Sequence, residues 1–428
     1  MKPFQAVVLG IFVSMALLGV FVFATFTASR TDAIGSVTIW GSLPQDSFDA
    51  LFTKIRGKRD DFNAVSYKQV PAENLIPQLV AAIAAGKGPD LVLFPASSIV
   101  KDGDKLQPIT YSDIPRRDFQ DTFVEAGEAF LTDEGVLGLP FYIDPMVMYW
   151  NRTLFSNAAI ARPPKYWDEL VTMAPQLTKK NPNGSLTTSA VAMGEWGNVA
   201  HAKGILITLM KQLGISVVQL GPNGYRSALT ASNDNGVLVA DSVLRYYADF
   251  SNPVKPAYSW NRSQRQSRDA FLAGTLAMYM GPASELIGIR EANPNLNFDV
   301  APLPVARGGS EGVYADVLAL AVPRGAPNPN GAATVAVELT SADNSTFFAT
   351  QSRMPSTRRD VELNADADQY LSVFRSSALR SFVFLDPNPT QSDSVFSRMI
   401  DNISSGRLGV SESIRAADDE LQQLLKVQ

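Results

Sequence analysis

The hydrophobic pattern of the chain falls into two regimes. Residues 7–27 carry no charge and are mostly Val, Leu, Phe, Ile and Ala. About twenty residues rising 1.5 Å each span the ~30 Å hydrocarbon core of a bilayer, so this run predicts a transmembrane helix. From residue 36 short apolar runs alternate with amphipathic stretches. Residues 37–40 predict a strand ended by Gly41, and 46–58 a helix with Phe48, Leu51, Phe52 and Ile55 on one face. A strand is expected at 64–70. A helix at 72–85 carries Leu75, Ile76, Leu79, Val80 and Ile83 at helical spacing and stops at Gly86, and a buried strand follows at 91–94. This βαβαβ order predicts an α/β domain with a parallel sheet covered on both faces. Ligands in such sheets sit beyond the carboxyl ends of the strands, which makes the loops at 40–44 and 94–98 the edges where one is expected.

A second unit is written into residues 271–304. It reads as a helix end at 271–273, a stop at Gly274, a strand at 276–280 and a break at Gly281-Pro282. A helix at 283–291 follows, then a turn at Asn293-Pro294-Asn295 and a strand at 297–302. Two more amphipathic helices are expected, at 202–213 after His201 and at 411–426 with Ile414, Leu421, Leu424 and Leu425 as its packing face.

Composition narrows the chemistry. With 428 residues, 46% hydrophobic and 18% charged, the chain is long enough for two or three domains with real cores. A net charge of −5 argues against nucleic acid, because binding phosphates needs a basic face. The absence of cysteine excludes a disulfide framework, thiol catalysis and a lipidated N-terminal Cys. One histidine, His201, would have to carry any Ser-His-Asp triad alone, and it reads instead as a capping or surface residue. No G-x-S-x-G elbow, H-E-x-x-H pair, Walker loop or EF-hand loop is present, and Gly86-Lys87-Gly88 reads as a helix stop. The short acidic pairs Asp102/Asp104 and Asp366/Asp368 supply too few oxygens for Ca²⁺, so no metal or cofactor is expected.

Aromatic residues are the stronger lead. Sugar rings present C–H faces that stack on Trp and Tyr, and hydroxyls that seek carboxylates and amides. Trp40 ends the first predicted strand beside the Gly41-Ser42 turn. Trp196 lies in the Gly-flanked loop at 194–198, and Trp260 follows Pro253, Pro256 and Tyr258. A packing role is the alternative for each of these three rings. Trp150, in a strand, and Trp167, at a helix start, read as structural, and Asp90 reads as a turn residue.

Several motifs occur together and in order: TIWG at 38–41, YKQVPAE at 67–73, AAGKGPD at 84–90, GLPFYID at 138–144 and YWNRTLF at 149–155. They continue with PPKYWDEL at 163–170, YSWN at 258–261, FLAGTLAM at 271–278, PNLNFDVAPLP at 294–304 and PSTRRD at 355–360. In this order and spacing the chain resembles the extracellular solute-binding proteins of family 1, the maltose-binding-protein-like sugar receptors of ABC importers. The likeness covers nearly everything after the apolar N-terminus. Tyr166 departs from it where the family commonly has Thr or Ser as a helix cap, and Asp168 is expected to take over the capping.

The resemblance implies a two-lobed, periplasmic-binding-protein-like α/β fold of type II character, with a hinge and a cleft between the lobes. The first lobe would comprise residues 36–143 and 320–357, the second 144–319 and 358–428. It also implies capture of a mono- or oligosaccharide and delivery to the transmembrane subunits of an ABC permease by a monomer outside the cell. The expected ligand-binding residues are Trp40, Gly41, Ser42, Glu73, Tyr142, Asp144, Trp196, Trp260, Gly281, Tyr314 and Asp316. No catalytic residue is assigned. A membrane-anchored carbohydrate-active enzyme and a scaffold domain without a small ligand are the alternatives.

The N-terminal run has two readings, an uncleaved anchor to the cytoplasmic membrane or a signal peptide cut near Thr27-Ala28-Ser29. Its length favours the anchor, while Lys2 before it and Arg30 after it orient it only weakly. The full-length protein should therefore stay in the membrane fraction through high-salt and alkaline washes, and removal of residues 1–30 should release it. A mature N-terminus near Ser29 or Arg30 would identify a cleaved signal instead.

Overall fold

The structure is a computed structural model that describes residues 34–222, 224–232, 236–362 and 369–426. The expected membrane segment at 1–30 and the acidic pair Asp366/Asp368 lie outside the described residues. Among those described, no helix is long and apolar enough to cross a membrane.

The first predicted unit forms as β1 (Val37–Gly41), α1 (Gln45–Arg56), β2 (Val65–Gln69), α2 (Ala72–Ala84) and β3 (Leu91–Pro95). β1 lies between β2 and β3 and runs parallel to both. Helix α1 buries Phe48, Leu51, Phe52 and Ile55, the face its spacing predicts. Helix α2 buries only Leu75 and Leu79 of its five apolar positions. Ile76 and Val80 turn instead to a cavity described below.

The chain continues through β4 (Leu139–Asn151), α3 (Trp167–Leu177), β5 (Leu186–Val191) and α4 (Ala202–Gln212). It returns through β6 (Leu276–Pro282), α5 (Glu285–Ala292), β7 (Phe298–Pro302) and β8 (Val313–Pro323), and ends in α6 (Pro329–Leu339), α7 (Pro389–Ser404) and α8 (Val410–Lys426). The principal strands pair in the order β2-β1-β3-β8-β4-β6-β5, and β7 also pairs with β4. The sheet is mixed, not parallel as its first strands suggest. β8 inserts antiparallel to both β3 and β4, because it returns from a distant part of the chain and not through a helical crossover.

β4 and β8 connect the hydrophobic clusters. β4 contributes Leu139 and Phe141 to a cluster around α1, Ile143 to one around β3, and Met146–Tyr149 to a large cluster with α3, α4 and α8. Its first half pairs with β8, and its second half with β6 and β7.

Three local expectations change. The strand at 276 does not break at Gly281 but runs to Pro282, which pairs with Met146. As the last residue of the strand, Pro282 places no missing N–H inside the ladder. Asp168 does not cap α3. The Glu169 carboxylate accepts from the backbone N–H of Lys165 at 2.7 Å and of Tyr166 at 3.4 Å, while Asp168 pairs with Arg307 at 2.8 Å. Trp260 is fully buried, and its indole N–H donates to Asn198 Oδ1 at 3.0 Å. The Gly-rich loop at 194–198 and the Pro-rich loop before Trp260 pack on a shared scaffold. The Tyr247 hydroxyl donates to the Glu195 carbonyl at 2.7 Å, Ser251 to the Gly194 carbonyl at 3.0 Å and Ser259 to the Val191 carbonyl at 2.8 Å.

Trp260→Ala should therefore cost stability and not affinity. Emptying a fully buried indole site costs roughly 3–5 kcal/mol, and here it also removes the donor to Asn198 Oδ1. A midpoint in urea unchanged from wild type would overturn this placement.

Candidate functional site

Two cavities open between the hydrophobic clusters and meet at Asp144 and Asp316, which line both. The smaller, about 350 Å³, is walled by Met146, Trp196, His201, Lys203, Tyr314 and Phe384 among others. The larger, about 900 Å³, runs past Ser42, Glu73, Ile76, Val80 and Tyr142 to the start of α7 at Pro389 and Thr390. Together they form a cleft of the size that holds small polar ligands.

The register of β4 and β8 sets its centre. Asp144 and Asp316 are direct partners across the two strands. Directly opposed residues on antiparallel strands hold their Cβ atoms about 4.5–5.5 Å apart on one face of the sheet. Asp144 is buried, and its Oδ1 accepts the backbone N–H of Ser284 at 3.0 Å. Burial raises its carboxyl to about 7; the hydrogen bonds from Ser284 and the charge of His201 oppose that rise and the charge of Asp316 adds to it. Asp316 opens to cleft water but sits in a concavity crowded by protein, and that desolvation moves its carboxyl upward too, against the hydrogen bond from Tyr314 and the charges of His201 and Lys203. The Tyr314 hydroxyl donates to Asp316 Oδ1 at 2.5 Å. Burial, reinforced by the two carboxylates, keeps the Tyr142 phenol protonated far above neutral pH.

The cations nearby are already engaged. His201 takes a left-handed backbone (φ 57°) just before α4, and its Nε2 lies 2.8 Å from Glu285 Oε1. Glu285 Oε2 also accepts from the Tyr279 hydroxyl at 2.8 Å and from Arg268 at 3.2 Å. Burial alone would raise Glu285, but the bonds from His201 and Tyr279 and the charge of Arg268 hold it below the usual carboxylate value. Lys203 Nζ is held by Asp386 at 2.7 Å, Asp393 at 2.6 Å and Ser392 at 3.0 Å.

Of the residues expected at a site, Ser42, Glu73, Tyr142, Asp144, Trp196, Tyr314 and Asp316 line one or both cavities. The Trp196 ring is half-buried and lies parallel to Phe396 within 5°, with centroids 6.2 Å apart. The remaining four do not line either cavity. Trp40 faces the α2 cluster, with Lys68 Nζ 4.5 Å above its ring, because alternation along β1 turns it from the cleft. Gly41 is a packing requirement, since a Cβ there would lie 2.5 Å from Leu93 Cδ1 and 2.8 Å from the Tyr67 hydroxyl oxygen. Gly281 is likewise buried, with room for a Cβ taken by the Tyr279 ring at 2.8 Å, and Pro282 reaches the cavity in its place. Trp260 belongs to the interior. Sequence reasoning missed His201, Lys203, Met146 and Phe384 as cavity residues. His201 carried a weak signal as the single histidine of the chain, but the backbone conformation that swings it onto Glu285 has no sequence signature. Among the described residues no group of three or more His, Cys, Asp or Glu could hold a metal ion.

The family model of the bacterial extracellular solute-binding proteins matches residues 51–372. A binding protein of Brucella abortus (strain 2308) is 23% identical over 254 residues, an alignment spanning 58% of this chain and 58% of that protein. The chain thus aligns with little more than half the length of its curated relatives. Among solved structures, the cyclic α-maltosyl-1,6-maltose binding protein of Arthrobacter globiformis is similar with a TM-score of 0.74 at 18% identity, covering 92% of this chain and 99% of that one. A solute-binding protein of an ABC transporter from Thermotoga lettingae, bound with α-D-tagatose, gives 0.68 at 20% identity over 91% and 100%. At these identities the likeness establishes the two-lobed α/β fold.

The carboxylate pair generates a prediction of its own. A carboxyl whose folded value lies above its unfolded one holds its proton more tightly when folded. Asp144 therefore contributes stability that is full below its ordinary value of 3.8 and is lost as pH rises to about 7. Asp144→Asn removes that loss. Relative to wild type the variant should gain on the order of 1 kcal/mol per pH unit at the steepest part of that window. Urea unfolding of both proteins between pH 4.5 and pH 8 checks it, and parallel stability curves would sink it.

Proposed function

The chain belongs to the bacterial extracellular solute-binding proteins, and from that premise we propose that it captures a carbohydrate in the cleft between its lobes. The observation that carries this reading is the pairing of Asp144 with Asp316 at the meeting point of two cavities walled by Trp196, Tyr142 and Tyr314. Ring faces for C–H stacking beside acceptors for hydroxyls are what a sugar requires. The similar solved structures with maltotetraose, mannobiose and tagatose named in them support the same ligand class.

In this reading residues 36–143 and 320–357 form one lobe, and 144–319 with 358–428 the other. The protein works as a monomer outside the cytoplasmic membrane, tethered by its N-terminal run, and hands its ligand to an ABC permease. It binds and releases, with no turnover of the sugar. A ligand bridging the two lobes favours the closed arrangement by its differential affinity for it, and the closed form is what a permease would recognise.

A thermal-shift screen of maltooligosaccharides, mannobiose and tagatose on the chain without residues 1–30 tests the reading. A true ligand at a hundredfold excess over its Kd stabilises by about 2.7 kcal/mol. Trp196→Ala should then weaken the tightest hit by roughly thirtyfold, about 2 kcal/mol, while its urea midpoint stays near wild type. If no saccharide shifts the transition, or if Trp196→Ala costs only stability, the carbohydrate cleft is misplaced.

A further inference from the structure

Resting on that carbohydrate reading, we propose that the preferred ligand is an amine-bearing sugar whose ammonium group docks between Asp144 and Asp316. The charge around the cleft carries the argument. Two carboxylates face each other from neighbouring strands. Among the described residues, no Lys, Arg or His stands within ion-pairing distance of either.

The cations lining the smaller cavity, His201 and Lys203, are ion-paired elsewhere and reach the two acids only through their charge. From the start of α4, His201 is bound to Glu285 and Lys203 to Asp386 and Asp393. Arg268 is bound to Glu285 from the other side. Across the larger cavity Lys105 answers Asp102 at 3.2 Å and Asp104 at 2.9 Å, so it compensates its own neighbours. Glu73 adds a further acid to that wall, and Lys101 is an exposed residue in no ion pair with the central carboxylates. Tyr142 and Tyr314, the remaining titratable groups beside the pair, stay neutral.

Of the two facing acids Asp144 is desolvated and Asp316 opens to the cleft, and a positive charge or a proton between them relieves the pair. A neutral sugar hydroxyl donates a hydrogen bond and leaves both charges standing, so one acid must keep a proton. An ammonium donates three hydrogen bonds and supplies the missing charge. Burial, with a smaller addition from the charge of Asp316, raises the Asp144 carboxyl to about 7, so without ligand the site takes up a proton near neutral pH. Binding of a cationic sugar releases that proton, whereas binding of a neutral one retains it. The two classes should thus respond to pH with opposite sign. Trp196, lining the same cavity, offers the ring face against which the rest of the sugar lies.

The test is calorimetric titration of the full-length chain in mild detergent at pH 5.5 and pH 7.0. The probes are glucosamine, galactosamine, mannosamine and the glucosamine trimer, each beside its N-acetylated counterpart, with putrescine as an amine lacking a sugar. The expected result is at least one free amine bound tenfold or more tightly than its N-acetyl form at pH 7.0. That advantage should shrink at pH 5.5, with proton release seen as a dependence of the heat on buffer ionisation enthalpy. Asp316→Asn and, separately, Asp144→Asn should bring the ratio to within about threefold. Equal or tighter binding of the N-acetyl forms at both pH values overturns the proposal and leaves the carbohydrate reading standing. Putrescine binding as tightly as the best amino sugar also overturns it, because no ring is then required. Failure of every saccharide here and in the neutral panel overturns both.

Discussion

The arrangement depends on two long strands held in one register. β4 and β8 are paired from Leu139/Leu320 to Pro145/Ala315, with one irregularity between Leu318 and Ala319. Each strand belongs to more than one hydrophobic cluster along its length, so the backbone that closes the cores also forms the floor of the cleft. Side chains alternate along a strand, so a slip of one residue would turn Asp144 and Asp316 to the opposite face and destroy the site. The register is protected because the same slip would drive Ile143 and Val317, now wholly buried, out of their cluster. Fold stability and site geometry are therefore a single constraint.

That constraint has an electrostatic consequence. The strands bring two acids together with no cation of the chain between them. Such a pair opposes folding at neutral pH, since desolvation disfavours both charges and the charge of Asp316 raises Asp144 further. The surrounding groups limit the damage without removing it. Ser284 donates to Asp144 and Tyr314 to Asp316, which stabilises charge but does not neutralise it. Glu285 shows the contrast. It is also largely buried, yet His201, Tyr279 and Arg268 converge on it and its carboxyl falls instead of rising. The two acids thus differ in sign because cations bond directly to Glu285, whereas Asp144 is more deeply buried and feels His201 only through its charge.

Much of the architecture was legible in the sequence. The periodicity of 37–95 and 271–302 located β1 through β3 and the β6-α5-β7 unit to within a few residues, because apolar spacing reports burial directly. The antiparallel insertion of β8 was hidden, since pairing between residues far apart leaves no local trace. The site was legible in part. Carboxylates and rings on β4 and β8 followed from the family likeness, whereas Trp196 and Trp260 looked alike as loop aromatics and are not. Trp260 is enclosed by hydrogen-bonded loops that pack on one another, whereas Trp196 is half-buried at the cavity wall with Phe396 parallel to it. Loop composition describes the backbone of a segment and is silent about what another segment lays over it. The N-terminal run falls outside the described residues, so its reading rests on hydropathy alone.

The excess of apolar residues on α2 makes a related point. A helix facing only a core needs one buried stripe, and Leu75 with Leu79 supplies it. Ile76 and Val80 extend that stripe sideways to the wall of the larger cavity, with Pro77 beside them. Leaving such side chains half-open forgoes burial worth about 25 cal/mol per Å² of apolar surface. That surface becomes useful only when something covers it, either a ligand or the facing residues at the start of α7, Asn388 to Thr390. The same cavity ends at the unneutralised pair of acids. Its apolar side and its charged side are therefore both incomplete in the same place, and one molecule with a hydrophobic face and a positive group would complete both.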